Sequence, residues 1–246
     1  MVFGGKVYET DGATAVGVHE ASEIRPLSPV PVAPSLRIFR SEFQPLPSPE
    51  PENPHFFYGN PASIVGPSQI ITYPAGFGRV AVLPLVAAVI VSSGYGIDLD
   101  LADDTILGLT LMCMLILPEV ETEERNSGGG FGRSCDAGAA TGPVLTTPDE
   151  LDDFLVDQQF GRRYRLSAVA RVNGVERQRG NLEHLRWTFA EAIAGASLSC
   201  TVREGDILAL GSVCEDEEPL WVEPGDEIHL AVENLGTLGL KLSEEL

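Results

Sequence analysis

The chain has 246 residues, a formal net charge of −20 and 43% hydrophobic residues. That length fits one large domain, or a large domain with a small one, and supports a sizeable core. The charge leaves no basic footprint for phosphate, which argues against nucleic acid or anionic lipid as a partner. Lys6 and Lys241 are the only lysines, and the other cations are arginines.

The N-terminus, MVFGGKVYETDG, has no apolar signal core. Four cysteines, at 113, 135, 200 and 214, show no CxxC spacing. They read as free thiols in a reducing compartment, so a cytoplasmic protein is expected.

Taken in order, Lys6–Tyr8 and Ala13–Val18 read as short strands. From Pro26 to Pro54 the chain is rich in Pro and Ser, which excludes a regular helix and favours an extended connection. Residues 1–45 are therefore assigned to a small N-terminal β unit with its linker, and 46–246 to the main domain. Val80 to Val91 is uncharged, too long for a half-exposed strand and short of the roughly 20 residues that span a bilayer. It is expected as a strand buried on both faces. Ser92–Asp104 reads as a polar loop with one helical turn, and Ile106–Leu117 as a second buried strand stopped by Pro118.

Glu119–Arg133 reads as a charged, then glycine-rich loop. Thr147-Pro148-Asp149-Glu150 predicts a helix start with a capping box. Arg165–Val172 alternates into a tight turn at Asn173-Gly174. Asn181 is expected to cap a helix that buries Leu182, Leu185, Phe189 and Ile193 and ends at Gly195. Arg203–Leu208 and Glu223–Ile228 each place a Gly-Asp turn before a strand.

Several short motifs stand in a fixed order. They are F-x-x-x-P-x-S-x-x-G-P at Phe57–Pro67, Tyr73-Pro74, Gly108–Thr110 (G-x-T), Arg133–Asp136 (R-S-x-D) and Gly142–Leu151. Val172–Gly174 with Gln178, Gly205–Gly211 and Pro224–Asp226 complete the series. In this order they resemble the fumarylacetoacetate hydrolase (FAH) family over about residues 32–242. The resemblance implies an α+β, mainly β fold: a mixed β-sandwich roll with a few helices, usually a homodimer. It also implies hydrolysis, decarboxylation, tautomerisation or hydration of keto acids and diketones with a divalent metal, usually Mg²⁺.

The departures from that pattern are concerted. The family's metal-binding Glu-x-Glu falls on Leu83 and Leu85, and its Asp on Met114. Its active-site Lys in the Phe-x-Lys segment falls on Gly59, and the Arg40–Pro45 region holds no counterpart of its lid His. Arg133 stands where the family has Lys, beside Asp136, and the G-T-P turn reads Gly211-Ser212-Val213. Hard Mg²⁺ is held by oxygen ligands, which leucine and methionine do not supply. No metal and no cofactor is therefore expected.

Candidate catalytic residues are Arg133 and Asp136 as an orienting pair, Tyr58 as a phenol donor and His55 as an acid or base. Candidate substrate-binding residues are Phe57, Leu83, Leu85, Met114, Gln178 and Ser212. Each has a plainer reading, as a packed core residue, a backbone-satisfying polar group or a solvated charge. The run Gly128–Gly132 lacks the Lys-Ser/Thr of a phosphate loop and reads as a flexible lid. The favoured reading is a metal-independent FAH-like enzyme in specialised metabolism. It would isomerise, dehydrate or cyclise an apolar, polyketide-like small molecule bearing a carbonyl or carboxylate. The alternatives are a non-catalytic FAH-fold binding or partner subunit, for which Leu83, Leu85 and Met114 would be packed solid, and a conventional metal-dependent keto-acid hydrolase.

Overall fold

The computed structural model describes residues 2–3, 6–10, 14–20, 23–24, 26–40, 53–214 and 218–244. Three strands, β1 (Val2–Phe3), β2 (Lys6–Thr10) and β3 (Ala15–Glu20), pair antiparallel in sequence order. Then come β4 (Leu36–Arg40), β5 (Phe57–Gly59), β6 (Ile64–Val65), β7 (Ile70–Ile71), β8 (Val80–Ile90), β9 (Ile106–Ile116) and β10 (Ala139–Thr146). The remaining strands are β11 (Leu155–Asp157), β12 (Arg163–Tyr164), β13 (Ser167–Val172), β14 (Val175–Asn181), β15 (Ile207–Gly211), β16 (Leu220–Val222), β17 (Glu227–Val232) and β18 (Gly236–Leu242). The α-helices are α1 (Leu99–Ala102), α2 (Pro118–Asn126) and α3 (Phe189–Ser197). This is the mainly β, α+β architecture expected from the motifs.

The main sheet runs β5-β4-β15-β8-β9-β10-β6, with β16 also pairing to β8. A second sheet runs β14-β13-β17-β18-β7. β8 is buried along its whole length and β9 from Gly108 onward, because the main sheet is covered on both faces. On one face Val82, Val86, Leu111 and Leu115 meet Ala168, Ile228 and Leu238 of the second sheet and Ile193 of α3. On the other, Leu83, Leu85, Met112 and Met114 pack with Leu36, Ile38, Ala139 and Ala209. Ser28 reaches over β10 on this second face, its Oγ 2.7 Å from Thr141 Oγ1. Among the described residues no helix is long and apolar enough to cross a membrane.

Local signals fared unevenly. Asn173 and Gly174 form the two-residue turn between β13 and β14, with φ of 52° and 77°. Gly205 and Gly225 likewise take positive φ before β15 and β17. Glu119–Asn126, read as loop, lies in α2: Pro118 opens the helix, Glu119 and Glu121 face its positive end, and Arg125 closes it. Pro148–Phe154 is a 3-10 helix without a Thr147 side-chain cap. Asn181 caps only the 3-10 turn Leu182–His184, while α3 starts later from the capping box of Thr188 and Glu191 and runs past Gly195 to Ser197. Leu182, Leu185, Phe189 and Ile193 are buried as expected, though they do not share one helix. Leu36–Arg40, placed by sequence in the N-terminal unit, is a main-sheet strand parallel to β15. Its apolar alternation gives it a sheet to join. Most of the Arg40–Pro45 region where the lid His was sought lies outside the described residues.

Candidate functional site

β8 changes partner midway. β16 pairs with Val80–Val82 and β15 with Val86–Val89. Leu83, Pro84 and Leu85 lie in the gap, where the link from β15 to β16 crosses and Val213 donates its N–H to the Pro84 carbonyl at 3.0 Å. A methyl group on Gly211 would lie 2.8 Å from Leu85 Cδ2, so only glycine lets this link approach so closely.

On the other edge of β8, Leu83 pairs with Met114 and Leu85 with Met112. Alternation along each strand turns all four onto the same face. The register therefore gathers Leu83, Leu85 and Met114 at one place. Leu83 and Leu85 are 0% exposed and Met114 is 1% exposed. The three side chains pack in one apolar cluster, a plug in the sheet face.

This donor set does not fit a hard divalent cation. Leucine has no lone pair, and the methionine thioether is a soft ligand suited to other metals. Among the described residues no group of three or more His, Cys, Asp or Glu side chains is placed to hold a metal. Carboxylates at these positions without a cation would be buried unpaired charges, which cost several kcal/mol each. Apolar groups at these positions carry no such cost.

The plug has an aromatic rim. Phe57 and Phe131 pack against it with ring centroids 5.0 Å apart, and Trp221 borders it. Guanidinium groups stack outside these rings: Arg79 lies 3.6 Å from the Trp221 centroid and Arg125 4.9 Å from that of Phe131. Such contacts need four segments brought together by the fold, and no local spacing announces them.

Arg133 and Asp136 lie at the rim, both exposed, but their side chains do not pair. The Arg133 guanidinium lies 5.7 Å from the Phe77 ring, while Asp136 accepts from Asn60 Nδ2 at 2.7 Å. Asn60 was not singled out in the sequence. Ser212 sits next to Gly211, half-buried, its Oγ accepting from the Cys214 N–H at 3.3 Å. Gln178 belongs to the second sheet and donates from Nε2 to the Glu218 carbonyl at 2.7 Å, so it holds the far end of the same link. Its Oε1 is buried without a partner.

Tyr58 and His55 do not join this group. Alternation along β5 puts Phe57 toward the plug and Tyr58 on the opposite face, where its ring centroid lies 5.8 Å from the Arg37 guanidinium. His55 is exposed on the approach to β5.

The glycine-rich segment is pinned by Glu124, which lies in the stretch read from sequence as a charged loop. Glu124 accepts from Arg133 N–H at 2.8 Å, Gly132 N–H at 3.3 Å and Ser134 Oγ at 2.5 Å. Desolvation opposes its ionisation, but the hydrogen bonds from Ser134, Gly132 and Arg133 prevail and hold the carboxyl below its ordinary value. The pairing depends on α2 placing Glu124 against the segment, and α2 had been read as loop.

Comparison with known proteins agrees with this fold. The chain is 26% identical over 193 residues to oxaloacetate tautomerase YisK of Bacillus subtilis, covering 76% of this chain and 60% of that protein. The crystal structure of 2-hydroxyhepta-2,4-diene-1,7-dioate isomerase from Mycobacterium marinum superposes with a TM-score of 0.75 at 22% identity, over 94% of this chain and 83% of that one. Fumarylpyruvate hydrolase from Pseudomonas aeruginosa, solved with Mn²⁺ and pyruvate, gives 0.72 at 19% identity, over 100% and 99% of the two chains. At such identities the structural matches speak for the fold. Residues 35–242 match the fumarylacetoacetate (FAA) hydrolase C-terminal family, and the chain belongs to that family.

Proposed function

We propose that this chain is a cytoplasmic, metal-independent member of the family whose fold serves as a binding or partner subunit, assembled as a homodimer. One observation carries the reading: the positions that would cage a cation hold Leu83, Leu85 and Met114, at 0%, 0% and 1% exposure in one apolar cluster. A metal-assisted step needs oxygen ligands around the ion and an open position for substrate. These residues offer neither.

Oxaloacetate tautomerisation, the activity named for the Bacillus relative, is the informative assay. Enol-to-keto conversion followed by ultraviolet absorbance, with Mg²⁺, with Mn²⁺ and with chelator, should run at the buffer rate in each case. A metal-dependent acceleration abolished by chelator would overturn the proposal.

A second reading keeps catalysis without a metal: isomerisation, dehydration or cyclisation of an apolar, polyketide-like intermediate. It is favoured by the Phe57–Phe131 pair at the plug, with Arg133 and Ser212 nearby as hydrogen-bonding groups. Apolar walls with a few donors orient a flexible substrate. Chelator-insensitive turnover of a poly-β-keto thioester, lost in Arg133→Met and Ser212→Ala, would establish it. Turnover that both variants retain would exclude this site.

A further inference from the structure

The segment from Ser127 to Asp136 is built as a strap over the plug. Its far end is fixed: Ser134 is 0% exposed, its carbonyl accepts from Leu117 N–H at 2.9 Å, and Cys135 is buried in the apolar cluster. Its near end is Gly128-Gly129-Gly130. Gly128 and Gly130 have open space where a side chain would lie, and Gly128 takes a φ of +75°. Between the two ends, two groups hold the strap down. Phe131 places its ring against Phe57 and the cluster, and Glu124 fills a nest made by Gly132 N–H, Arg133 N–H and Ser134 Oγ.

A backbone nest of this kind binds anions generally, and a carboxylate from elsewhere would meet the same donors. Arg133 adds an exposed guanidinium, 5.7 Å from the Phe77 ring. The nest thus adjoins both a cation and an apolar surface, with glycines on one side to let the covering ring move.

We propose that the strap is a displaceable lid, and that Glu124 and Phe131 hold the places of the carboxylate head and the hydrocarbon body of an apolar carboxylic acid. In the bound state the acid's carboxylate accepts from Arg133 N–H and Ser134 Oγ, Glu124 turns to water, and the chain of the acid replaces the Phe131 ring against Phe57. This rests on the metal-free reading of the plug and names the ligand that reading lacks. Glu124 is tethered beside the nest, so it competes at high effective concentration and holds affinity down.

The experiment is titration of the protein with dodecanoate and with dodecanol, both below micelle formation and in chelator, read by calorimetry. Dodecanoate should bind saturably at one site and at least about tenfold more tightly than dodecanol, the difference a charge-assisted head contributes. Glu124→Gln should tighten dodecanoate by about tenfold more than it tightens dodecanol, because the strap is loosened for both but only the carboxylate loses a charged competitor. Phe131→Ala should tighten both. Equal binding of acid and alcohol, or dodecanoate affinity unmoved by both substitutions, would overturn the lid. Chelator keeps the result independent of the tautomerase assay, so failure of the lid and failure of the metal-free reading are told apart.

Discussion

Two buried places on opposite faces of the main sheet solve one problem in opposite ways. On one face Arg37 and Asp206 keep a charge pair at 2.9 Å, with side chains 3% and 1% exposed. Asp206 also accepts from Ser35 Oγ and from Arg203 N–H, each at 2.8 Å. On the other face Leu83, Leu85 and Met114, which the family resemblance led us to expect at carboxylate positions, are buried and carry no charge. Buried charge persists in this fold where the protein itself supplies the partners. Under the proposed metal-free reading, no buried charge stands where the partner would be a cation from solution. The contrast fits the energetics: a lone buried carboxylate costs several kcal/mol, and an apolar replacement of similar volume costs little.

The sharpest way to break the contrast is to put charge back into the plug. Leu83→Glu alone loses leucine packing and buries an unpaired carboxylate, so urea unfolding at neutral pH should show a loss of about 5 kcal/mol or more. A loss under about 1 kcal/mol would mean that the site opens to water. Next in size, Arg37→Met leaves Asp206 without its cation and should cost about 3–5 kcal/mol. The double variant Arg37→Met/Asp206→Leu should recover much of that loss. If it does not, the Asp206 contacts to Ser35 and to the turn at Arg203 matter more than the charge pair.

Smaller effects sharpen the account of the strap. Glu124 is held below its ordinary value of 4.5. Its pinning contribution is therefore fully present above that value and lost as pH falls through the lower, folded one. Proteolysis at Gly128–Gly130, using an acid-active protease across the acidic range, should rise on that descent, and Glu124→Gln should flatten the profile. The smallest effect is on the thiols. Cys113, Cys135 and Cys214 are buried, burial pushes the Cys113 thiol up, and Cys200 is exposed. Alkylation of the native protein should label Cys200 alone, with no change in stability. Labelling of Cys135 at a similar rate would show the strap standing open.

Much of this was legible from the chain because it depends on local or strand-length pattern. The two uncharged runs became β8 and β9, and Asn173-Gly174 became the expected turn. Leu83, Leu85 and Met114, singled out through the family resemblance, lie in one apolar cluster of these two strands. What was not legible depends on which elements meet. Glu119–Asn126 carries few apolar residues and no long periodic face, so its helix is set by Pro118, its end charges and packing at Val120. Without that helix, the role of Glu124 could not be read. Tyr58 was placed near the site by adjacency in sequence, yet one residue along a strand reverses the face. Arg133 and Asp136 were expected to act as a pair from their spacing, and the short 3-10 turn at Arg133–Cys135 sends them to Phe77 and Asn60 instead.

Manganese binding reports most directly on whether apolar side chains have taken the cation's place. Mn²⁺ is titrated into the wild-type protein and into Leu83→Glu/Leu85→Glu/Met114→Asp, with free Mn²⁺ followed by its electron paramagnetic resonance signal and thermal unfolding recorded alongside. The wild type should take up no stoichiometric Mn²⁺ and keep its melting temperature, while the triple variant, destabilised without metal, should bind one ion and regain stability as Mn²⁺ is added. One tightly held, chelator-removable Mn²⁺ per wild-type chain would contradict the account.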